Sequence, residues 1–292
     1  MGRAGAAGGQ PHQIRRLLAT SIGALPPDWG FISRWAVTYN LLGRAYLELG
    51  LPVAAEDALR RQLTIARDQE DFQGQVLALN NIGNILLRRQ NVAEAQQAFA
   101  EALEIAVAID HVEGRGISLN NLGLVAAAVN NYPEAIKRYQ EALLFRRRVG
   151  DPLAEANTLN NLGDSHYALG DAIAAVRSYR LALSIAERSF DTNNQFRALE
   201  GLSQAHVLQG DNRQALARLE EWLALARAEE DLFQELVALR SLAIFARDLG
   251  DFEAARGYYN LAIAVARDLQ DDRTEILLVN ELTQILYPPG SY

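Results

Sequence analysis

ALNNIGNIL at residues 78–86 returns as SLNNLGLVA at 118–126 and as TLNNLGDSH at 158–166, at a constant interval of 40 residues. Weaker copies of the phrase precede and follow these three in the same register. A fixed period of this length predicts a repeat protein built from stacked copies of one supersecondary unit. Each copy holds a small residue at the same place, directly after an apolar one: Gly43, Gly83, Gly123, Gly163, Ser203, Ala243 and Thr283.

Two further positions recur with the same period. An alanine follows each of the first six small residues after twelve positions, and a large apolar or aromatic residue follows the alanine after four more. Small residues allow helix axes to approach closely, and the large residues fill the space between neighbouring helices. The alanines are Ala55, Ala95, Ala135, Ala175, Ala215 and Ala255, and the large residues are Leu59, Phe99, Tyr139, Tyr179, Leu219 and Tyr259.

Each unit is predicted to contain two helices joined by a turn, because apolar residues recur at spacings of three and four on both sides of a midpoint. At that midpoint Gly or Asn is suited to end one helix, and Asn or Asp to cap the next. Asn91 with Glu94, Asn131 with Glu134 and Asp211 with Gln214 resemble capping boxes. No useful length of sequence alternates with period two, so the sequence predicts an all-α fold.

This pattern resembles the tetratricopeptide repeat family, whose units carry a small residue, an alanine and an aromatic residue at three fixed positions. With Ala36 as the first position of the first unit, the resemblance covers residues 36–287. The NNLG phrase and the longer period are similar to repeats of spindle-orientation adaptors and kinesin light chains. The resemblance implies a right-handed superhelical solenoid of helix-turn-helix repeats, an α-α superhelix.

The repeat pattern predicts how the chain is organised. The last helix carries more apolar residues than a terminal cap needs, which indicates either a self-association surface or a fragment of a longer protein. The predicted parts are a flexible tail at 1–11, a capping helix and break at 12–35, six repeats at 36–274, a C-terminal helix at 275–287 and a tail at 288–292.

The resemblance also implies a binding surface, because first helices of this family line a concave groove. Asparagine is a poor residue for a helix interior, yet pairs of asparagines recur in three first helices. The expected peptide-binding residues are Asn40, Arg44, Asn80, Asn84, Asn120, Asn157, Asn160, Asp164, Tyr167, Arg197, Arg240 and Arg247.

Two interpretations of the asparagines stay open. Their amides either bind the backbone of an extended peptide, or bridge neighbouring helices and set the spacing of the repeats. On the first interpretation, replacing Asn80, Asn120 and Asn160 together with alanine removes partner binding and leaves helicity intact. The adjacent residues Asn81, Asn121 and Asn161 fit the bridging role better. The arginines at the far end either attract an acidic segment or are simply solvated.

Composition narrows the classes of function. The net charge of −8 opposes attachment to nucleic acid or to an anionic membrane, so neither is an expected partner. The sequence has no cysteine and four scattered histidines, and it lacks the known catalytic and nucleotide-binding motifs. We therefore expect a cytoplasmic protein that is not an enzyme, with no catalytic residues, no metal and no cofactor.

Two functions remain from the sequence. The first is a protein-interaction scaffold that binds a peptide or partner segment in the concave groove. The alternative is a regulatory or self-association module of a larger bacterial signalling protein, which acts through homo-oligomerisation, with the C-terminal helix as the interface, or through effector sensing.

Overall fold

The chain is a succession of α-helices joined by short turns. The computed structural model describes the backbone of residues 31–286 and the side chains of residues 38–286. Within residues 31–286 it has thirteen helices and no strand, as the sequence predicts. The helices are α1 Phe31–Glu48, α2 Pro52–Asp68, α3 Phe72–Arg88, α4 Val92–Ala108, α5 Val112–Ala128, α6 Tyr132–Val149, α7 Pro152–Ala168, α8 Ala172–Arg188, α9 Thr192–Leu208, α10 Asn212–Ala228, α11 Leu232–Asp248, α12 Phe252–Asp268 and α13 Asp272–Leu286.

The turns between helices follow one design. From α3 onward each helix begins 20 residues after the previous one. The residue in the middle of each turn has a positive φ. Glycine occupies five of these places, and the others are Glu70, Gln90, Asp110, Asn130, Phe190, Glu230 and Gln270. The predicted caps at Asn131 and Asp211 accept a hydrogen bond from the backbone N–H three residues later. Asn91 makes no such bond.

The chain divides into two compact units, Met1–Asp151 and Pro152–Tyr292. In the first unit each helix from α1 to α5 packs on the one that follows it, up to α6, and α3 also contacts α5. In the second unit α7 to α13 pack in the same manner, and α7 also contacts α9. Each unit is therefore a stack of antiparallel helical hairpins with one repeat per hairpin.

The core of each unit comes from the recurring small and large residues. The six recurring alanines are completely buried. A Cβ atom added to Gly123 would lie 2.5 Å from Tyr139 Cε1, and one on Gly163 would lie 2.5 Å from Tyr179 Cε1. Only glycine leaves room for the ring at such a distance, so the predicted pairing of small and large residues is confirmed.

The ends of the chain differ in part from the sequence prediction. The predicted tails at 1–11 and 288–292, and residues 12–30 of the predicted capping segment, lie outside the described residues. The last described helix begins at Asp272 rather than at residue 275, because the Asp271 carboxylate accepts a hydrogen bond from the Thr274 backbone N–H at 3.0 Å and caps the helix earlier. None of the helices described in 31–286 has the length and apolar character needed to cross a bilayer.

Candidate functional site

The predicted groove residues of the first unit lie on the first helices α1, α3 and α5. Asn40 and Asn84 are half-buried, and Arg44 is exposed, so all three can reach solvent. Asn80 and Asn120 are buried. Five residues predicted to form one surface are therefore divided between the surface and the interior.

Asn80 joins two neighbouring repeats through its side-chain amide. Its Nδ2 donates to Val76 O and to Ser118 Oγ, both at 2.9 Å, and its Oδ1 accepts from Asn121 Nδ2 at 3.0 Å. The side chain is only 2% exposed. The two bonds to α5 fix the distance and register between α3 and α5, because buried amides must find partners inside the protein.

In the second unit the Asn160 side chain also joins two neighbouring repeats. It is 0% exposed, and its Nδ2 donates to Asn194 O at 3.2 Å and to Asn194 Oδ1 at 3.1 Å. The two contacts link α7 to α9. Asn161, the adjacent residue, donates to Asn157 Oδ1 at 3.3 Å.

These contacts favour the bridging interpretation for Asn80 and Asn160, the first asparagines of their pairs. Asn120 is also buried, and it donates to Asn121 Oδ1 on its own helix at 3.4 Å. A side chain enclosed between helices cannot touch an extended ligand unless the helices separate. We therefore remove Asn80, Asn120 and Asn160 from the set of direct ligand contacts. Replacing them together is expected to weaken the fold, which is the outcome of the bridging interpretation and not that of direct ligand contact.

Asp164 is the centre of a polar cluster on α7. It accepts a hydrogen bond from Tyr179 OH at 2.7 Å and an ion-paired bond from Arg197 Nη2 at 3.0 Å. The same Arg197 atom donates to Asn161 Oδ1 at 2.9 Å. Burial, together with the Asp164 carboxylate, raises the pKa of Tyr179 and keeps its phenol protonated. Arg197 thus bridges α9 to α7.

The other two arginines predicted at the far end, Arg240 and Arg247, are also paired with carboxylates. Arg240 on α11 binds Glu281 on α13 through two hydrogen bonds, of which that from Nε measures 3.1 Å. Arg247 Nη2 lies 2.8 Å from Asp248 Oδ1. With these pairs formed, the arginines offer little net positive charge to an acidic segment. The expected basic docking surface is therefore largely neutralised.

A pocket of about 420 Å³ opens among α9, α10 and α11 in the second unit. This volume falls in the range of ligand-binding pockets. Predicted residue Tyr167 lines its edge, and Glu200, Gln204 and Val207 on α9 also line it. Its apolar wall consists of Val207, Leu219, Trp222, Ile244, Phe245 and Leu249.

The pocket lies where the repeat pattern is broken. Phe99, Tyr139, Tyr179 and Tyr259 fill the large position of their repeats and are buried. Leu219 occupies this position in the fifth repeat, and its shorter side chain is one wall of the pocket. Leucine at this place is therefore smaller than the ring that fills the position in four of the other five repeats.

The polar groups of the pocket are mainly acceptors of hydrogen bonds. The lining includes the carboxylates of Glu200 and Asp248 and no Lys or Arg. Partial burial, followed by the Asp164 carboxylate, raises the pKa of Glu200 above its usual value. Asp248 is compensated by Arg247, whereas Gln204 gives Glu200 only an amide donor, at 3.3 Å.

Sequence reasoning placed Tyr167 at the binding surface but missed the pocket. The signal was present at Leu219 and Leu59, the two places where the large position is not aromatic. Sequence alone does not tell which of the two leaves a cavity, because neighbouring residues decide whether the space closes. Within the described residues, no three His, Asp or Glu side chains are grouped so that they could hold a metal ion.

Comparison with known proteins identifies the repeat. Two family models, both described as tetratricopeptide repeat, match the sequence, one at residues 75–148 and 154–228 and the other at 38–71. The first model alone covers more than half of the 292 residues. No curated protein matches the sequence.

Several solved structures share the fold. BtubC from P. vanneervenii is 19% identical, with a TM-score of 0.66 over 76% of this chain and 92% of its own. A STAND protein with a tetratricopeptide repeat sensor from Pyrococcus horikoshii is 20% identical, with a TM-score of 0.69 over 95% of this chain and 42% of its own. A Rap protein complexed with competence and sporulation factor is 14% identical, with a TM-score of 0.64 over 94% of this chain and 80% of its own. At these identities the likeness concerns the fold alone.

Proposed function

Since this chain belongs to the tetratricopeptide repeat family, we propose that it is a protein-interaction module that binds an extended peptide segment of a partner protein. The binding surface we assign is the face of α9 and α11 around the pocket, with Tyr167 of α7 at its edge. The pocket carries this proposal, because it combines accessible apolar surface with a few polar groups at positions where first helices of this family meet ligands.

The accessibility of the remaining groove residues supports the same function. Tyr167 and Gln204 are exposed in the second unit, and Asn40, Arg44 and Asn84 are accessible in the first. A Rap protein of similar fold was solved complexed with competence and sporulation factor, which agrees with ligand binding by stacks of this type. Binding, rather than catalysis, is the role we assign to the chain.

The proposal is tested by selecting random peptides on the purified protein and measuring their affinities by fluorescence polarisation. In Gln204→Arg a long charged side chain stands on the proposed face, so we expect binding of the selected peptides to fall at least about tenfold. The matched control is Leu181→Arg, at an exposed position of α8, which should leave affinity unchanged. Equal affinity for both variants and the wild-type protein would overturn the proposal.

A second candidate function is self-association through the last described helix. On α13 the side chains of Ile276, Leu277, Val279 and Leu286 are exposed. Apolar residues concentrated on one helix favour contact with a second copy of the chain. We expect light scattering to show a mass that rises with protein concentration, and Ile276→Asp with Leu277→Asp to restore the monomer. A monomeric mass of the unmodified protein at every concentration would exclude this candidate.

A further inference from the structure

The polar atoms that face the pocket limit the chemistry of what can occupy it. Ser203 Oγ donates to Glu200 O at 2.7 Å, and Ser241 Oγ donates to Val237 O at 2.9 Å. Both hydroxyl protons are therefore used within their own helices. A ligand in the pocket meets the oxygen lone pairs of these residues rather than their protons.

The indole N–H of the pocket wall is also hydrogen-bonded within the protein. Trp222 Nε1 donates to Gln234 Oε1 at 3.0 Å, and the Trp222 side chain is only 2% exposed. The ring therefore presents apolar surface to the pocket and no hydrogen-bond donor. Val207 and Leu249 add exposed apolar surface to this wall. The wall suits a bulky apolar side chain, whose transfer from water is favourable.

Glu200 supplies the charge at this site. Its side chain is exposed at the pocket, and Asp164, a second carboxylate, lies near enough to raise its pKa. Arg197 acts in the opposite direction on Glu200, but its guanidinium is already bonded to Asp164 and Asn161. The protein thus compensates the negative charge of Glu200 only in part, and a ligand cation beside Glu200 would complete this compensation.

We propose that the pocket binds a peptide segment in which a bulky apolar residue adjoins a basic residue, with the apolar side chain between α9, α10 and α11 and the cation beside Glu200. This inference rests on the proposed peptide-binding function and specifies its ligand. Charge complementarity with Glu200 and the absence of Lys and Arg from the lining select a basic segment over an acidic one.

Three short peptides, acetylated and amidated and identical except at the centre, test the proposal by fluorescence polarisation. The centres are Phe-Arg, Phe-Glu and Ala-Arg. We expect the Phe-Arg peptide to bind at least about tenfold more tightly than either of the others, since each loses one of the two contacts. The preference over Phe-Glu should decrease as salt is added, because ionic strength screens the exposed charge.

Two variants locate the site. Glu200→Gln keeps the shape and removes the charge, so it should remove most of the preference for Phe-Arg over Phe-Glu. Leu219→Phe puts into the pocket the ring that other repeats carry at this position, so it should weaken the Phe-Arg peptide about tenfold or more. The control Glu220→Gln removes an exposed carboxylate of α10 that does not line the pocket and should change neither result.

The outcomes separate this inference from the proposed function. Selected peptides that lose affinity in Gln204→Arg, but show no preference for a basic centre and bind Leu219→Phe normally, would overturn the inference and leave the proposed function standing. Absence of any peptide sensitive to Gln204→Arg would overturn both. Circular dichroism and thermal melting of Leu219→Phe confirm that the variant is folded. A folded variant that binds the Phe-Arg peptide as tightly as the wild-type protein would place the ligand elsewhere.

Discussion

Replacing Asn80 with alanine should destabilise the first unit, although the sequence alone suggested a surface residue. The variant loses the bond to Ser118 Oγ and the bond from Asn121 Nδ2, and each net hydrogen bond contributes about 1 kcal/mol. It also leaves the Asn121 amide without this acceptor in a buried position, at a cost of about 1 kcal/mol or more. Alanine recovers about 0.6 kcal/mol through its higher helix propensity. The expected loss in the free energy of unfolding is thus about 2 kcal/mol.

Urea denaturation followed by circular dichroism measures this loss, and Asn84→Ala is the matched control. Asn84 lies one turn later on the same helix and is half-buried rather than enclosed. Its replacement should change the free energy of unfolding by less than about 0.5 kcal/mol, or stabilise the protein slightly. If Asn80→Ala were as stable as Asn84→Ala, the bridging role of the asparagines would be refuted.

Three further predictions concern packing, turns and pH. Gly123→Ala should lower the free energy of unfolding by about 1–3 kcal/mol, since its Cβ would meet Tyr139 Cε1 at 2.5 Å. Gly257 has open space around it, so Gly257→Ala should stabilise the protein by up to about 1 kcal/mol. Urea denaturation of the two variants checks both signs. Phe190 has a φ of 55° and is 89% exposed. Phe190→Gly should therefore raise the melting temperature, because glycine relieves a backbone strain of about 1 kcal/mol. An unchanged or lower melting temperature would contradict this prediction. Burial lowers the pKa of His206 below its ordinary value of 6.5, so the unfolded chain binds the proton more readily. The stability that neutral His206 contributes should be fully present above pH 6.5 and should decrease as the pH falls below it. Melting temperatures measured from neutral to acidic pH should therefore decrease less steeply in His206→Gln.

Much of the site could not be obtained from the sequence, because the same residue type serves different purposes at successive positions. Asn84 and Asn80 both occupy predicted groove positions, yet only Asn84 is accessible. The difference depends on how closely α5 approaches α3, which no pattern within α3 reports. The ion pairs of the arginines could not be predicted either, since the partner of Arg240 is Glu281, 41 residues away on another helix.

The sequence by itself determined the helices, their turns and their pairing, because these depend on local periodicity, on turn residues and on small and large side chains that recur at a fixed interval. Tertiary structure alone decided which polar groups are enclosed, which charges neutralise each other and where space remains. The pocket beside Leu219 is the clearest case: a shorter side chain creates a cavity only if the surrounding helices keep their spacing. In this stack the neighbouring repeats hold that spacing, so space remains beside one irregular residue, and this is the space that we propose as the binding site.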